Sequence, residues 1–309
     1  MLLTYSEHGD IPNKITDFYN QAYEALFQKH DANKGVFKRT RKTSLNMQQF
    51  RKVFSSFSLF SYNDAKIQFS RSYSLEMIEK AKLFCQLDFE PERFLDDCLQ
   101  AVCLLVEDGQ VLAYTHRSLQ EYFAAVFVDK HLSPSKAYEI ARKFSVRANR
   151  DTFFDLLFEL NPRLVETKVI APFLEQVANK IEFSGEFDSS IFHKFLQYFY
   201  SQVAANSEDQ VVNYSIKDPE EWGLLTFVYR RYLAQHLISK SNRNKNKEIA
   251  RRLSFSDIAL GDPIIQNLWD DGEIFMLSPS MVEQFLDLKN QLDASWASSD
   301  KSLEDILFG

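Results

Sequence analysis

An imidazole next to a predicted helix start is the side chain in this sequence best placed for chemistry. His116 follows the apolar run Val111–Tyr114 and precedes Ser118 and Glu121. The Ser118 and Glu121 spacing is that of a capping box, in which each side chain accepts a hydrogen bond from the other residue's amide. The free amides and the dipole of a helix N-terminus also favour an anion there. The pattern therefore predicts either an anion contact by His116 or a histidine that only hydrogen-bonds the strand end.

The motifs of nucleotide hydrolysis are missing from this sequence. None of its eight glycines is followed by lysine, so no phosphate-binding loop is present. The apolar run Cys103–Asp108 ends in two acids, as magnesium-binding strands do, but without a phosphate cradle we favour a strand entering a hairpin turn. No metal-ligand or nucleophile spacing is found, and the six histidines are scattered. We therefore predict no catalytic residue, no metal site and no nucleotide held by this chain alone.

Basic residues are concentrated in two stretches. Residues 34–52 hold seven basic residues and no acid, and residues 240–252 hold six against one. The pattern is typical of a solvated loop, and it also suits an acidic partner or a nucleic-acid trigger. The helix expected before the hairpin carries four acids against one base, namely Glu90, Glu92, Asp96 and Asp97 against Arg93. Because those acids would face phosphates, we do not expect this helix to read DNA.

The composition indicates an ordered, mostly helical protein. Hydrophobic residues make up 45% and charged residues 26% of 309 residues, which excludes a mainly disordered chain. Glycine and proline number eight each, so tight turns are few. The net charge of −7 is unlike that of a basic nucleic-acid-binding protein. Three cysteines without a CxxC pair, and no apolar run of about 18 residues, predict a cytoplasmic protein with no membrane span.

Four helices are expected before the hairpin. Apolar residues at helical spacing predict helices over 12–30 and 47–61, a third after an N-cap at Ser74, and a fourth from Pro91. The second helix carries an apolar stripe of Phe50, Val53, Phe54, Phe57 and Phe60. These helices would supply the core on which the His116 segment is mounted.

The hairpin is expected from two apolar runs. Ala101–Val106 and Val111–Tyr114 would be its strands, with Asp108 and Gly109 at positive φ in the turn. A helix from Leu119 would follow. His116 would therefore lie between a strand and a helix.

Three helices, a hairpin and a further helix follow one another from residue 44. This is the order of a winged-helix domain with an added helix, which we place at 44–132. Helical periodicity with short breaks continues over 133–309. It includes an aromatic-rich stretch over 191–205 and a long helix capped by Asp218 that runs to about residue 239. The predicted fold class is therefore mostly α, a winged-helix domain with one β-hairpin followed by an α-helical C-terminal region.

The segment Tyr114–Ala125 resembles the winged-helix signature of bacterial NACHT-type NTPases, of the STAND class of signalling ATPases. Its features are a histidine after a strand, then Gln-Glu-Tyr-Phe at 120–123, then two small residues. Three upstream segments, Leu2–Tyr5, Gly9–Pro12 and Phe18-Tyr19, resemble the end of the nucleotide domain and the first helical domain of that family. The resemblance covers about residues 1–132.

This resemblance implies three domains and one ligand contact. Residues 1–43 would end the NACHT helical domain, 44–132 would be the winged-helix domain, and 133–309 an α-helical sensor or regulatory region. His116 would contact the β-phosphate of ADP, whereas the phosphate-binding loop and the metal-binding acids of the family lie before the region matched here. ADP or ATP with Mg would therefore be bound only with that nucleotide-binding domain. In the motif, Ser118 and Glu121 would cap the helix, and Tyr122 and Phe123 would be core.

The resemblance further implies a signalling switch, in many such proteins one of innate immunity and antiviral defence against phage. A protein or nucleic-acid trigger would bind the C-terminal region, the winged helix would swing away, and ATP would replace ADP. The partners would be the nucleotide-binding domain in cis or in trans, the trigger, and further copies in an oligomer, with no membrane. One alternative is a free-standing protein-interaction module that regulates a partner. Another is a winged-helix nucleic-acid binder.

Overall fold

The computed structural model describes residues 12–32, 41–148, 150–206, 211–233, 257–259 and 279–308. The chain divides into two compact units. The first unit contains residues 1–141 and 150–162, and the second contains 142–149 and 163–309. Nothing in the fold tests the predicted boundaries at 43/44 and 132/133, which stay predictions.

Most of the described residues are helical, so the predicted class is confirmed at this level. The helices up to residue 160 are α1 (Ile15–Ala32), α2 (Met47–Asn63), α3 (Arg71–Cys85), α4 (Pro91–Asp96), α5 (Arg117–His131), α6 (Pro134–Phe144) and α7 (Phe153–Leu160). A π-helical turn over Asp97–Ala101 continues α4, and a 3₁₀ turn over Ser145–Arg147 follows α6.

Two helix starts differ from the prediction because another side chain provides the cap. Helix α3 begins after Ser70, whose hydroxyl accepts from Tyr73 N, so the predicted N-cap Ser74 is buried inside the helix. Helix α1 begins at Ile15 instead of residue 12. The Glu159 carboxylate of α7 accepts there from Ile15 N at 3.3 Å and from Thr16 N at 2.7 Å. Local spacing does not reveal a cap from a residue 143 positions away.

The predicted hairpin is present and is part of a three-stranded antiparallel sheet. Its strands are β1 (Gln68–Phe69), β2 (Leu105–Asp108) and β3 (Val111–Tyr114), in the order β1-β3-β2. The sequence analysis missed β1, and residues 101–104, predicted as strand, are not one. They contain the end of the π-helical turn and Cys103 in a left-handed conformation with φ +54°.

The turn of the hairpin lies one residue later than expected. Asp108 pairs with Val111, so Gly109 and Gln110 form a two-residue loop. Gly109 has φ +62°, which is the position that glycine occupies in type II′ turns. The prediction of positive φ at Asp108 is therefore wrong.

Aromatic rings form the core of the first unit. The apolar stripe of α2 is buried except for Phe60, which is half-buried. Phe50 lies 4.5 Å from Phe94 of α4, and Phe54 lies 4.9 Å from Phe123 of α5, between ring centroids. The predicted stripe is thus the surface on which α4 and α5 pack.

The second unit is helical with a sheet that was not predicted. Its helices are α8 (Pro162–Val165), α9 (Ala171–Lys180), α10 (Ser189–Phe199), α11 (Pro219–Val228) and α12 (Pro279–Phe308). Its strands are β4 (Tyr200–Asn206), β5 (Val211–Ile216) and β6 (Asp257–Ala259), in the antiparallel order β5-β4-β6. The helical pattern expected over 191–205 therefore ends at Phe199, because the following residues pair with β5 and with β6.

Asp218 caps α11 as predicted, since its carboxylate accepts from Glu220 N at 2.8 Å and Glu221 N at 3.2 Å. The helix passes at Tyr229 into a π-helical turn that ends at Leu233. The rest of its predicted length, to residue 239, lies outside the described residues. A second π-helical turn, Glu166–Ile170, joins α8 to α9.

The core of the second unit is also aromatic. Phe285 of α12 lies 5.3 Å from Phe195, 6.0 Å from Phe173 and 5.8 Å from Tyr229, between ring centroids. Helices α9, α10 and α12 and the turn after α11 therefore meet at one ring. Among the described residues, no helix has the length and the hydropathy that a membrane crossing needs.

Candidate functional site

His116 is the N-cap of α5. Its backbone is extended, with φ −146° and ψ 133°, and its Nδ1 accepts from Ser118 N at 3.3 Å. The Ser118 hydroxyl lies 2.5 Å from the same nitrogen. Because Nδ1 accepts, the proton of the neutral ring is on Nε2. The residue is exposed, so the structure places an imidazole N–H donor at the N-terminus of a 15-residue helix.

The predicted capping box of Ser118 and Glu121 is wrong. Helix α5 begins at Arg117, so Ser118 is in its first turn, and Glu121 is turned inward. The Glu121 carboxylate accepts from Thr152 N at 3.0 Å and from Thr152 Oγ1 at 2.5 Å. Its other oxygen lies 3.0 Å from Arg117 Nε. A partner 31 residues away therefore replaces the local one.

Four consecutive side chains after His116 reach different neighbours. Gln120 Nε2 donates to Ser61 Oγ at 2.9 Å and to Lys66 O at 2.8 Å, and Glu121 binds Thr152. The next two pack on rings. Tyr122 stacks on Tyr19 of α1 at 5.0 Å, and Phe123 meets Phe54 of α2 edge-on at 4.9 Å. The Gln-Glu-Tyr-Phe motif thus joins α5 to α1, α2 and the start of α7, which explains each residue type.

The end of strand β3, just before His116, is held by a buried network of hydroxyl groups. Tyr114 OH lies 2.7 Å from Ser61 Oγ and donates to Ser58 Oγ at 3.2 Å. Burial raises the pKa of Tyr114, so its hydroxyl remains protonated. Gln120 binds the same Ser61. Both the strand before His116 and the helix after it are therefore fixed on α2.

A second buried carboxylate lies beside Glu121. Asp151 Oδ2 accepts from Tyr62 OH at 2.8 Å, and Asp151 Oδ1 accepts from Phe153 N at 3.2 Å. The Arg117 guanidinium is close to it, with Nη2 at 3.8 Å from Asp151 Oδ2. Burial raises the pKa of Asp151, and the charge of Glu121 adds to the rise. One guanidinium therefore faces two buried carboxylates.

We expect Asp151→Asn to change how stability depends on pH. A carboxyl whose pKa is raised in the folded protein binds its proton more tightly there than in the unfolded chain. Its stabilising effect is complete below the ordinary value of 3.8 and is lost as the pH rises through the folded pKa. Urea unfolding at pH values from about 3 to 7 should show this loss in the native protein and not in the variant.

The control for that experiment is Asp88→Asn, at a fully exposed carboxylate of the same unit. Equal pH dependence in the native protein and Asp151→Asn would contradict the assignment.

Three described basic residues of the 34–52 stretch contact the protein itself. The Arg41 guanidinium lies 3.9 Å above the Phe27 ring, and Lys42 Nζ donates to Asp96 at 2.7 Å. The Arg51 guanidinium lies 4.7 Å above the Tyr23 ring. Lys34, Lys38, Arg39 and the stretch 240–252 lie outside the described residues. The resolved contacts favour a structural role for this part of the stretch.

Acids of the helix before the hairpin are also engaged within the chain. Glu92 pairs with Arg71 at 2.6 Å. Asp97 is buried and accepts from Lys42 N, Thr43 N and Thr43 Oγ1 at 2.6 to 2.9 Å. Sequence reasoning missed this role of Asp97, and it also missed Asp151 and Thr152. No local pattern marks them, because each acts on a residue at least 31 positions away.

Comparison with known families gives a match in the second half of the chain. Residues 160–307 match the family described as Short NACHT-associated C-Terminal domain, family 13. The matched range nearly coincides with the larger part of the second unit, 163–309. The chain matches no curated protein and no solved structure. The family match is consistent with the regulatory part of a NACHT protein.

Proposed function

We propose that this chain is the regulatory and sensor part of a bacterial NACHT STAND signalling ATPase. Two parts of the sequence that do not overlap support the same class. The winged-helix signature lies at 114–125, and the NACHT-associated family match covers 160–307. In this proposal 1–43 ends the helical domain, 44–132 is a winged-helix domain, and 133–309 recognises the trigger.

The observation that carries the proposal is the cap at His116. Its Nδ1 is occupied by the Ser118 amide, so the exposed Nε2–H is the donor that remains for a ligand. Within the described residues Nε2 has no hydrogen-bond partner. Bound ADP would supply a β-phosphate oxygen as the acceptor. One donor at a helix N-terminus fits a phosphate contact, and the rest of the cradle would come from the nucleotide-binding domain.

The proposed switch has two states. In the closed state His116 donates to the phosphate and the helix start at Arg117 adds a favourable dipole. A trigger that binds the C-terminal region better in the open state shifts the population towards it. The winged helix then releases the phosphate, ATP replaces ADP, and copies assemble. We place this switch in the cytoplasm and in antiphage defence.

His116→Asn tests the proposal when the nucleotide-binding domain is present. Asparagine is a good N-cap, so α5 keeps its cap while the imidazole donor is lost. A hydrogen bond to a charged group contributes about 1.5–3 kcal/mol, and we therefore expect ADP to bind about 10- to 150-fold more weakly. Release of a fluorescent ADP analogue, followed by stopped flow, measures the change.

His116→Ala loses both the donor and the cap, so the difference between the two variants isolates the cap. The difference between the native protein and His116→Asn isolates the phosphate contact. His131→Ala, at the other end of α5, is the control for a general effect of losing a histidine from this helix. Unchanged ADP release in His116→Asn would overturn the phosphate role.

A further inference from the structure

Arg117, Glu121, Asp151 and Thr152 form a cluster that we name the Glu121 clamp. The Glu121 side chain is 5% exposed, and three donors bind it, Thr152 N, Thr152 Oγ1 and Arg117 Nε. Asp151 is 1% exposed and lies 3.8 Å from Arg117 Nη2. The clamp therefore fastens the first turn of α5 to the residues that start α7.

The clamp acts on the turn that orients His116. Arg117 directly follows His116, and the imidazole accepts from the amide of the next residue, Ser118. Arg117 and Glu121 pair one turn apart on the same helix. A shift of this turn moves the Ser118 amide, and with it the hydrogen bond that keeps the proton on Nε2.

The path of the chain gives the clamp a second role. Residues 150–162 belong to the first unit, whereas the residues on both sides of them belong to the second. Two further contacts hold this segment in the first unit, Asn161 Nδ2 to Asp129 Oδ1 at 2.8 Å and Glu159 to the start of α1. The segment is therefore joined covalently to the second unit at both of its ends, whereas residues 1–141 are joined to it at Ala141 alone.

Release of the clamp would be cooperative. Opening it only partly would leave the buried carboxylate of Glu121 or Asp151 without a partner, which is costly away from water. Buried networks of this kind therefore favour two discrete arrangements over a gradual drift. That behaviour suits an element that reports on one unit to a site in the other.

We propose that Arg117 and Glu121 are positioning residues for His116, and that segment 150–162 is the lever through which the second unit controls it. The control of ADP by this lever rests on the proposed function of His116. The coupling between the lever and the His116 turn does not, and it can be measured on this chain alone.

Thr152→Val is the sharpest test, because it removes one donor to Glu121 and keeps the side-chain shape. We expect amide hydrogen exchange at 117–121 to become at least about tenfold faster, together with exchange at 152–156. We also expect the ¹⁵N spectrum of the His116 ring to show both neutral tautomers. Thr152→Ser keeps the hydroxyl and should behave as the native protein.

Thr115→Val is the matched control. Thr115 is adjacent to His116, and its Oγ1 donates to Cys103 O at 2.8 Å, outside the clamp. It makes the same chemical change without touching the lever. Faster exchange at 152–156 alone, or equal changes at 117–121 in the two valine variants, would overturn the coupling. If Thr152→Val does not fold, Arg117→Gln, at a half-exposed side chain, is measured in its place.

The ADP assay separates this inference from the proposed function. With the nucleotide-binding domain present, Thr152→Val should speed ADP release, and adding it to His116→Asn should have no further effect. If His116→Asn leaves ADP release unchanged, the proposed function fails while the exchange and tautomer data still decide the coupling. If Thr152→Val changes neither exchange at 117–121 nor the tautomer, the lever is wrong whatever His116 does.

Discussion

Gly223→Ala should unfold the second unit at temperatures at which the native unit is stable. A Cβ atom at Gly223 of α11 would lie 2.0 Å from Ser145 O and 2.7 Å from Ser145 C. Both atoms are backbone, so no flexible side chain can move aside. Ser145 is itself held, because its hydroxyl donates to Arg142 O at 2.7 Å and to Glu220 O at 3.1 Å. The alanine can be accommodated only if α11 separates from this turn.

Overpacking a core costs about 1–3 kcal/mol, occasionally more. The gain in helix propensity from glycine to alanine, about 1 kcal/mol, does not offset a backbone clash. We expect a net loss of about 3 kcal/mol, which is about 6–12 °C in Tm for a unit of this size. Thermal unfolding followed by circular dichroism measures the loss, and hydrogen exchange at 145–148 and 219–228 assigns it to the second unit.

Gly109→Ala is the matched control. A Cβ there meets nothing within 4 Å, but the residue has φ +62°. Left-handed backbone costs an alanine about 1–2 kcal/mol, and that loss should appear in the hairpin of the first unit. Equal losses in the two variants, or faster exchange confined to the first unit in Gly223→Ala, would contradict the close-packing account.

The sequence predicted elements whose signals are local. The phenylalanine stripe of 47–61 predicted α2 and its buried face, and Gly109 between two apolar runs predicted the hairpin. Asp218 followed by proline and two acids gave the cap of α11. In each case the residues that decide the structure lie within one or two turns of each other, so spacing alone is sufficient.

Predictions from local spacing were wrong where a residue distant in the sequence determines the structure. Ser118 and Glu121 have capping-box spacing, but the N-cap of α5 is His116. The Glu121 carboxylate binds Thr152 and Arg117 instead. Strands β1 and β6 have two and three residues and exist through pairing with remote strands. Tertiary contacts of this kind override local preference, and a single sequence does not reveal them.

For the candidate site too, local pattern predicted some features and missed those that depend on distant residues. The position of His116 between strand and helix followed from local pattern, and the structure places it at the helix start. The role of segment 150–162 could not be predicted from the sequence, because Asp151 and Thr152 become neighbours of α5 only in the folded chain. Spacing therefore gave the residue that could contact an anion, and only the fold gave what could control it.

Phe123→Ala should cost the first unit about 3–5 kcal/mol, the usual range for a buried phenylalanine. Its ring is fully buried and lies 4.9 Å from Phe54, 5.5 Å from Tyr23 and 5.1 Å from Tyr122, between centroids. The variant removes the ring on which α1, α2 and α5 converge. Urea unfolding followed by circular dichroism measures the loss.

Phe84→Ala is the control, because Phe84 lies on α3 and is 44% exposed. It removes the same side chain where water already covers part of it, so its cost should be well below that of Phe123→Ala. A cost below about 1 kcal/mol for Phe123→Ala would mean that the three helices close over the cavity. The convergence of the helices on this ring would then not be a source of stability.

The segment in which Phe123→Ala speeds up hydrogen exchange tests the role of the Gln-Glu-Tyr-Phe motif. Gln120 and Glu121 hold α5 through hydrogen bonds that Phe123→Ala leaves in place. Tyr122 and Phe123 hold α1 through ring contacts. Hydrogen exchange should therefore become faster in α1, over 15–28, than at 152–156. Equal acceleration in both segments would mean that the motif acts as one undivided core, whereas confinement to α1 would show that its apolar half anchors α1 and its polar half anchors α7.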